Sequence, residues 1–197
     1  INLTYYKTNT HNQFFKLPAL SGEAYAYRYE NAGNIENQGV EVSLNAYPVY
    51  GGALTWQSTV NFAHNRNRVI KLHDELREYV YGPSSFSSSY AMKLVEGGSI
   101  GDFYVTGLKT DDQGRIYVDP NTNTVTTDPN TWLYGGNTEA RFRLGWNNRF
   151  SYKGVNLGVL FDARIGGQGV SATQALMDRW GASQDSADAR ENGGVWI

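Results

Sequence analysis

The sequence predicts an all-β, antiparallel fold: about five strands of a transmembrane β-barrel with long extracellular loops. Apolar and polar residues alternate along several stretches, which is the strand signal because successive side chains point to opposite faces. The polar parity of the best of these stretches is mostly Thr, Gln, Asn and Ser, which is typical of a wet, enclosed lumen. The connections also alternate between short and long, as they do between the two ends of an outer-membrane barrel.

The clearest alternation forms a predicted hairpin within residues 34–65, with a turn at residues 48–52. One parity is apolar: Val40, Val42, Leu44, Ala46, Leu54, Trp56, Val60 and Phe62. The other parity is polar and has only one charged residue, Glu41. Membrane-spanning strands need about 9–11 residues and show this alternation between turns. The pattern by itself leaves a soluble sandwich or barrel open as the alternative.

Further strands are predicted at residues 1–8, 138–152 and 155–165, the last two joined by a tight turn at Lys153 and Gly154. Residues 11–28 are interpreted as a long excursion, and Gly39 predicts a bulge or a close backbone contact. Asn148 interrupts the apolar parity of its strand. A short helix is predicted from Ser171, a possible N-cap, to Trp180, followed by polar loop.

The longest connection is predicted between residues 66 and 138. Loops of this length are usually functional or carry structure of their own. The segment 67–78 suggests a strand extension or a helical turn, and residues 81–90 are rich in serine. A small hairpin is predicted around Asp111-Asp112-Gln113-Gly114. Because the turns at 47–53 and 153–154 are short, we expect them at the periplasmic end and the long connections outside.

The composition excludes several classes of protein. The 197-residue chain has a net charge of -2, which gives no basic patch for nucleic acid, and it has no cysteine for a disulfide or thiolate site. No apolar run approaches the roughly 18 residues that a membrane helix needs. No nucleophile elbow or phosphate loop is present. We therefore expect no enzyme, no cofactor and no metal site.

Isolated polar residues support that expectation. His11, His64 and His73 lack metal-ligand spacing. Asp111 and Asp112, with Asp119, have oxygen ligands for Ca²⁺ but lack the EF-hand spacing, so a turn of Asp and Gly residues is the favoured interpretation.

Several motifs, in order along the chain, carry a family resemblance. The stretch from Asn37 to Glu41, Asn-Gln-Gly-Val-Glu, resembles the Asn-x-Gly-Val-Glu signature of late strands in TonB-dependent outer-membrane transporters. Residues 56–67 look like the next strand of the SusC/RagA branch, residues 100–114 like its loop hairpin, and residues 147–167 like its strand pair before the C-terminal loops. Each motif is weak alone, but the ordered set covers nearly the whole chain.

The resemblance implies a plugged barrel of about 22 strands that imports glycans or oligopeptides in Bacteroidetes-type bacteria. It implies TonB, driven by the inner-membrane proton gradient, and a SusD-like surface lipoprotein as partners, with membrane lipid and lipopolysaccharide around the barrel. We expect residues 1–197 to be part of the C-terminal barrel domain and residues 66–138 to be its long extracellular loop. Both ends look cut, so we expect the plug, the TonB box, the signal peptide and the final strand to lie outside this sequence.

Two sets of site residues follow as expectations. Parity predicts a lumen-facing set: Glu41, Asn61, Arg141, Arg143, Asp162 and Arg164. Loop aromatics are candidates to contact substrate or the lid lipoprotein, or to form the loop's own small core: Tyr79, Tyr81, Phe86, Tyr90, Trp132 and Tyr134. Two other functions stay open, a siderophore- or cobalamin-type TonB-dependent receptor and a soluble β-rich carbohydrate-binding domain.

Overall fold

The computed structural model describes residues 1–18, 24–81 and 89–194. Its main element is a five-stranded antiparallel sheet. The strands are β1 Asn2–Pro18, β2 Tyr27–Val49, β3 Leu54–Lys71, β10 Phe142–Tyr152 and β11 Val155–Ile165. They lie side by side in the order β1-β2-β3-β10-β11. The prediction of an antiparallel all-β segment with about five strands is therefore confirmed.

The remaining elements lie mostly within the long connection and after the sheet. They are β4 Glu78–Tyr81, β5 Tyr90–Val95, β6 Asp102–Leu108, β7 Val118–Asp119, β8 Thr124–Val125, β9 Thr127–Asn137, α1 Ala172–Arg179 and α2 Gln184–Glu191. A four-stranded sheet has the order β4-β5-β6-β9, and β7 pairs with β8. The chain divides into two compact units. Unit 1 holds Ile1–Tyr81, Lys93–Asp102 and Asn137–Gln168, and unit 2 holds the other residues.

Both short turns lie at one end of the five-stranded sheet, as predicted. Leu54, which follows the first turn, is directly opposite Tyr152, which precedes the second. The second turn has positive φ at Lys153 (45°) and Gly154 (86°), the backbone that a two-residue hairpin turn with the twist of its strands requires. All the longer connections among the five strands leave from the opposite end.

The predicted excursion over residues 11–28 is wrong. β1 continues to Pro18 and pairs with β2 from Tyr27 onward, so only the residues between them connect the strands. The alternation is lost there because both faces carry aromatic residues: Phe14 stacks on Tyr29, while Phe15 and Leu17 are buried. Together with Val69, Leu72 and Leu94, these two residues form the core of unit 1.

The small hairpin around Asp111 forms as predicted: Thr110 and Ile116 make an antiparallel bridge, and the Tyr117 amide donates to the Lys109 carbonyl at 2.8 Å. Beyond it, Val118 pairs with Val125. One further expectation needs correction: the polar tail after Trp180 is not all loop, because α2 forms there with Ser183 as its N-cap. The helix α1 forms as predicted, and the Ser171 hydroxyl accepts a hydrogen bond from the Gln174 amide at 3.2 Å.

Candidate functional site: the polar face of the sheet

The strand register arranges the polar parity into continuous rows across all five strands. Residues directly opposite each other in an antiparallel pair share a face. One row contains Asn2, Ser43, Asn61, Gly145 and Asp162. The next contains Thr4, Glu41, Ala63, Arg143 and Arg164. We call the surface formed by these two rows the polar face.

The polar face brings together five of the six residues predicted to face a lumen: Glu41, Asn61, Arg143, Asp162 and Arg164. The sixth, Arg141, lies just before β10, where its amide donates to the Ile165 carbonyl at 2.9 Å. A pocket of about 400 Å³ is lined by Thr4, Glu41, Asn61, Arg143 and Asp162 among others. Which side of a membrane barrel this face occupies stays a prediction.

The charges of the polar face are unpaired within the part of the chain that the structure describes. No ion pair forms there at Glu41, Arg143, Asp162 or Arg164, although ion pairs form elsewhere, such as Lys7 with Glu36 at 2.8 Å. All four side chains are exposed. Exposed charged groups on neighbouring strands, with no ion-pair partner among the described residues, can bind charged groups of a ligand or of another protein segment.

Gly39 marks a close backbone approach, one of the two features that the sequence predicted for it. The Tyr6 ring lies across β2 at Gly39, and its hydroxyl donates to Asn65 Oδ1 on β3 at 3.0 Å. A Cβ at Gly39 would stand 2.5 Å from both the Tyr6 hydroxyl oxygen and the His64 carbonyl oxygen. Glycine is therefore required at this position of the Asn-Gln-Gly-Val-Glu motif. Sequence reasoning missed Tyr6, and a glycine within a strand was the signal that pointed to such a contact.

The apolar parity forms the opposite face of the sheet, which we call the apolar face. One of its rows contains Leu3, Val42, Phe62, Leu144 and Ala163. Many of its side chains are exposed, including Trp146 and Phe161, whose rings stack at 5.5 Å. An apolar face this wide and exposed needs an apolar environment or a covering partner.

The described loop aromatics pack against neighbours in both units. Tyr79 packs edge-on against Phe15 at 5.1 Å and belongs to the core of unit 1. In unit 2, Tyr90 lies near Phe103 at 5.6 Å, and Tyr134 packs edge-on against Tyr104 at 5.8 Å. Trp132 lies two residues before Tyr134 on β9. Tyr104 is an aromatic partner that the sequence candidates did not include.

The other two candidates, Tyr81 and Phe86, lie at and beyond the edge of the described residues. Phe86 lies outside the described residues, and so do residues 82–88 of the serine-rich stretch. Tyr81 is the last residue of β4, and its side chain is not described.

The Asp111 turn is built by its own hydrogen bonds. The Arg115 guanidinium donates to Asp111 Oδ2 at 2.8 Å, and the Gln113 and Arg115 amides donate to Oδ1. The Arg115 hydrogen bonds hold the pKa of the Asp111 carboxyl below its usual range. Across the described residues, no three His, Cys, Asp or Glu side chains are placed to hold a metal ion.

The histidines are dispersed. His64 Nδ1 lies 2.6 Å from the Arg141 carbonyl oxygen, and His73 Nε2 lies 2.7 Å from Glu30 Oε2. Within the described ranges, no helix is long and apolar enough to cross a membrane.

Comparisons with known proteins find TonB-dependent receptors that are similar to most of the chain. The chain is 26% identical over 95% of its length to TonB-dependent receptor P3 of Formosa agariphila. It is 29% identical over 69% of its length to TonB-dependent receptor SusC of Bacteroides thetaiotaomicron. It spans 20% and 14% of those two relatives. No family model matches the chain.

Solved structures agree on the fold. A structure of the RagAB peptide transporter covers 81% of the chain with 20% identity and a TM-score of 0.57. The RagAB peptide importer in the open-open state covers 84% with a TM-score of 0.63. The chain covers 18% of each of those chains.

The resemblance to SusC/RagA-like TonB-dependent transporters is confirmed. This SusC-like chain has the fold of a segment of such a barrel transporter, which accounts for a sheet with one polar and one apolar face. The named relatives are receptors and transporters. The similar sequences and the similar fold both support the resemblance that the motifs carry.

Proposed function

We propose that this SusC-like chain is a wall segment of an outer-membrane, TonB-dependent importer of glycans or oligopeptides. The observation that carries the proposal is the two-faced sheet: an exposed apolar face and a continuous polar face across five strands. In a closed barrel the apolar face would contact lipid and the polar face would line the lumen. The relatives named TonB-dependent receptors support this assignment over most of the chain.

Within the lumen, the unpaired charges would bind charged groups of the plug domain or of the substrate. Glu41 and Arg143 both lie opposite Ala63, so an anionic and a cationic group flank it on neighbouring strands. Asp162 lies one row further along the strands, opposite Gly145. The presence of both signs on one face suits zwitterionic segments, whether a surface of the plug domain or the ends of an oligopeptide. Hydrogen bonds from Asn61 and Ser43 suit a neutral glycan as well, so both substrate classes belong to the proposal.

The partners follow from the same assignment. TonB would supply energy through the plug, and a SusD-like lipoprotein would cover the extracellular side, with lipid and lipopolysaccharide around the barrel wall. We propose that the excursion 66–138 docks that lipoprotein and shapes the external chamber, because long loops on a rigid barrel concentrate variation and contacts. Tyr90, Trp132 and Tyr134 remain candidates for those contacts.

Uptake by cells carrying the full-length gene tests the proposal. A deletion strain is complemented with the wild type or with Arg143→Gln/Asp162→Asn, and two fluorescent probe sets are supplied: oligopeptides from a casein digest and oligosaccharides from starch. The matched control is Arg179→Gln/Asp185→Asn, the same substitutions at exposed residues outside both the polar face and the excursion 66–138. We expect wild-type uptake of one probe set to be abolished without TonB and reduced several-fold in the polar-face variant alone. TonB-independent accumulation, or full-length protein that stays soluble without detergent, would reject the importer.

The neighbouring gene separates the SusC-like importer from a siderophore- or cobalamin-type receptor. A gene for a SusD-like lipoprotein beside this one, and co-purification of its product with the barrel, are expected for the importer. Uptake of iron chelates or cobalamin with no such lipoprotein would favour the second candidate.

A further inference from the structure

A buried polar cluster joins the two points at which residues 103–136 leave and re-enter unit 1. Asp102 directly precedes that segment and Asn137 directly follows it. The Asn137 side-chain amide donates to Asp102 Oδ1 at 2.7 Å. The same hydrogen bond therefore closes the base of a segment more than thirty residues long.

Each remaining oxygen in this pair also has a partner. Asp102 Oδ2 accepts from the Ser99 amide at 2.6 Å, and Asn137 Oδ1 accepts from the Glu139 amide at 2.7 Å. The Gly101 carbonyl accepts from the Thr138 amide at 2.9 Å. Asp102 is 7% exposed, so each hydrogen bond to its carboxylate offsets part of the cost of burying that charge.

A second buried side chain fixes the same turn to the sheet. Asn67, near the end of β3, is 7% exposed. Its Nδ2 donates to Asn37 Oδ1 on β2 at 2.8 Å, and its Oδ1 accepts from the Ile100 amide at 2.9 Å. The Val69 backbone adds two hydrogen bonds to Gly97 and Gly98, each at 2.8 Å. We call the turn 96–102 and its contacts with Asn67 and Asn137 the clasp.

Glycines allow the close packing of the clasp. A Cβ at Gly98 would lie 2.7 Å from Asp102 Oδ2. A Cβ at Gly101 would lie 2.8 Å from Glu139 Cγ and 2.9 Å from Asn137 Oδ1. These contacts explain why the motif Ile100-Gly101-Asp102 has glycine before the acidic residue.

We propose that Asp102, Asn137 and Asn67 are positioning residues: they hold both ends of segment 103–136 on the end of β3, and the function of that segment depends on this attachment. The inference rests on the docking and chamber-shaping function proposed above for the excursion. Bringing together the ends of a long loop costs conformational entropy, and this cost rises only slowly with loop length. Hydrogen bonds shielded from water at the base of the loop can offset that cost and so fix both ends. The three residues touch no ligand themselves; they act through the segment that they hold.

A reciprocal exchange of side chains tests the clasp in the full-length transporter. In Asp102→Asn alone, an amide nitrogen replaces one of the two carboxylate oxygens. That nitrogen cannot accept a hydrogen bond, so the bond from either the Ser99 amide or the Asn137 side chain is lost. In Asp102→Asn/Asn137→Asp, Asn at 102 accepts from Ser99 and donates to Asp at 137, which still accepts from Glu139. Each of the three side-chain hydrogen bonds named above can then form, and the one between residues 102 and 137 is reversed in direction. Asp185→Asn, at an exposed residue outside the excursion 66–138, is the matched control.

Hydrogen exchange and function are measured together. We expect exchange in peptides covering 97–102 and 137–139 to accelerate about tenfold in Asp102→Asn, the factor that corresponds to loss of one ordinary hydrogen bond. We expect co-purification of the lipoprotein and uptake of the casein-digest or starch-derived probe to fall several-fold, with normal amounts of folded barrel. The double variant should restore both readouts, and Asp185→Asn should change neither. If Asp102→Asn yields no barrel, Asn67→Ala removes the same attachment from the β3 side and should give the same pair of losses.

The outcomes separate the two proposals. Wild-type exchange in Asp102→Asn, or no recovery in a folded double variant, overturns the clasp. Faster exchange with unchanged co-purification and uptake overturns its role in function while leaving the importer assignment intact. If the wild type itself neither takes up a probe nor retains the lipoprotein, the importer assignment fails, and the exchange data alone still decide the attachment.

Discussion

The indole of Trp56 donates a hydrogen bond to Asn148 Oδ1 at 3.0 Å, from β3 to β10 across the apolar face. Trp146 repeats the arrangement in the opposite direction, donating to Ser58 Oγ at 2.9 Å. Ser58 and Asn148 are directly opposite each other, so the two bonds are related by a local twofold. Asn148, which interrupts the apolar pattern in sequence, is only 3% exposed because the aromatic side chains cover it.

Trp56→Phe should destabilise the barrel by about 1–3 kcal/mol, because it leaves the buried Asn148 carbonyl oxygen without its donor. Asn148→Leu in the same background removes that oxygen and should recover most of the loss. Urea unfolding of the full-length protein refolded into lipid vesicles measures the double-mutant cycle. A coupling below about 0.5 kcal/mol would show that the two residues act independently.

Gly39→Ala should sharply reduce the amount of folded barrel, because the new Cβ would clash with the His64 backbone carbonyl and the Tyr6 ring. Gly145→Ala is the matched control, since a Cβ there meets no atom within 4 Å. The heat-modifiable fraction in outer-membrane preparations reports the folded protein. Adding Tyr6→Ser to Gly39→Ala should rescue only in part, since the backbone clash remains. Equal folding of the two alanine variants would contradict the close approach.

Val159→Arg and Leu160→Arg test the proposed orientation of the two faces. Val159 lies opposite Asn148 on the apolar face, and its neighbour Leu160 lies opposite Asn147 on the polar parity. If the apolar face contacts lipid, Val159→Arg should cost about 2–4 kcal/mol near the midplane, whereas Leu160→Arg should cost far less. The measurement is again unfolding from lipid vesicles. A reversed order of the two costs would mean that the faces are assigned the wrong way round.

Epitope accessibility in intact cells tests the assignment of the sheet ends. An epitope inserted between Gly51 and Gly52 should be hidden, because the short turns are expected on the periplasmic side. One inserted between Asp112 and Gln113, in the long connection, should bind antibody. Permeabilised cells provide the control, in which both insertions should be detected. Surface labelling of the Gly51 insertion alone would invert the topology.

The Asp111 turn should lose stability at low pH. Because the folded-state pKa of Asp111 is lowered by Arg115, its stabilising contribution is complete above the unfolded pKa of about 3.9 and is lost as pH falls through the folded value. Arg115→Gln should raise the Asp111 pKa toward its ordinary value. Carboxyl ¹³C shifts of labelled aspartate, followed by NMR in detergent, measure both midpoints. Asp128, whose pKa is lowered by hydrogen bonds from Thr131 and Asn130, is the internal control and should not change.

Local pattern was enough to predict what depends on each strand alone. The period-two alternation predicted the strands and their two faces, and a Ser N-cap before an amphipathic run predicted α1. The pattern failed where both faces carry aromatic residues, as at Phe14 and Phe15, because alternation requires one face to differ from the other. It failed for α2 because Gln184–Glu191 is almost entirely polar and so has no apolar period.

The sequence by itself determined that strands of this chain have one apolar and one polar face, because side-chain direction is fixed by position along a strand. Only the tertiary structure decided which residues meet across strands. β3 and β10 are neighbours although about seventy residues separate them. Their register places Trp56 on Asn148 and Arg143 beside Ala63, and the return of the chain at Asn137 places that residue on Asp102. Register and return point depend on packing and hydrogen bonds between distant segments, which no local pattern contains.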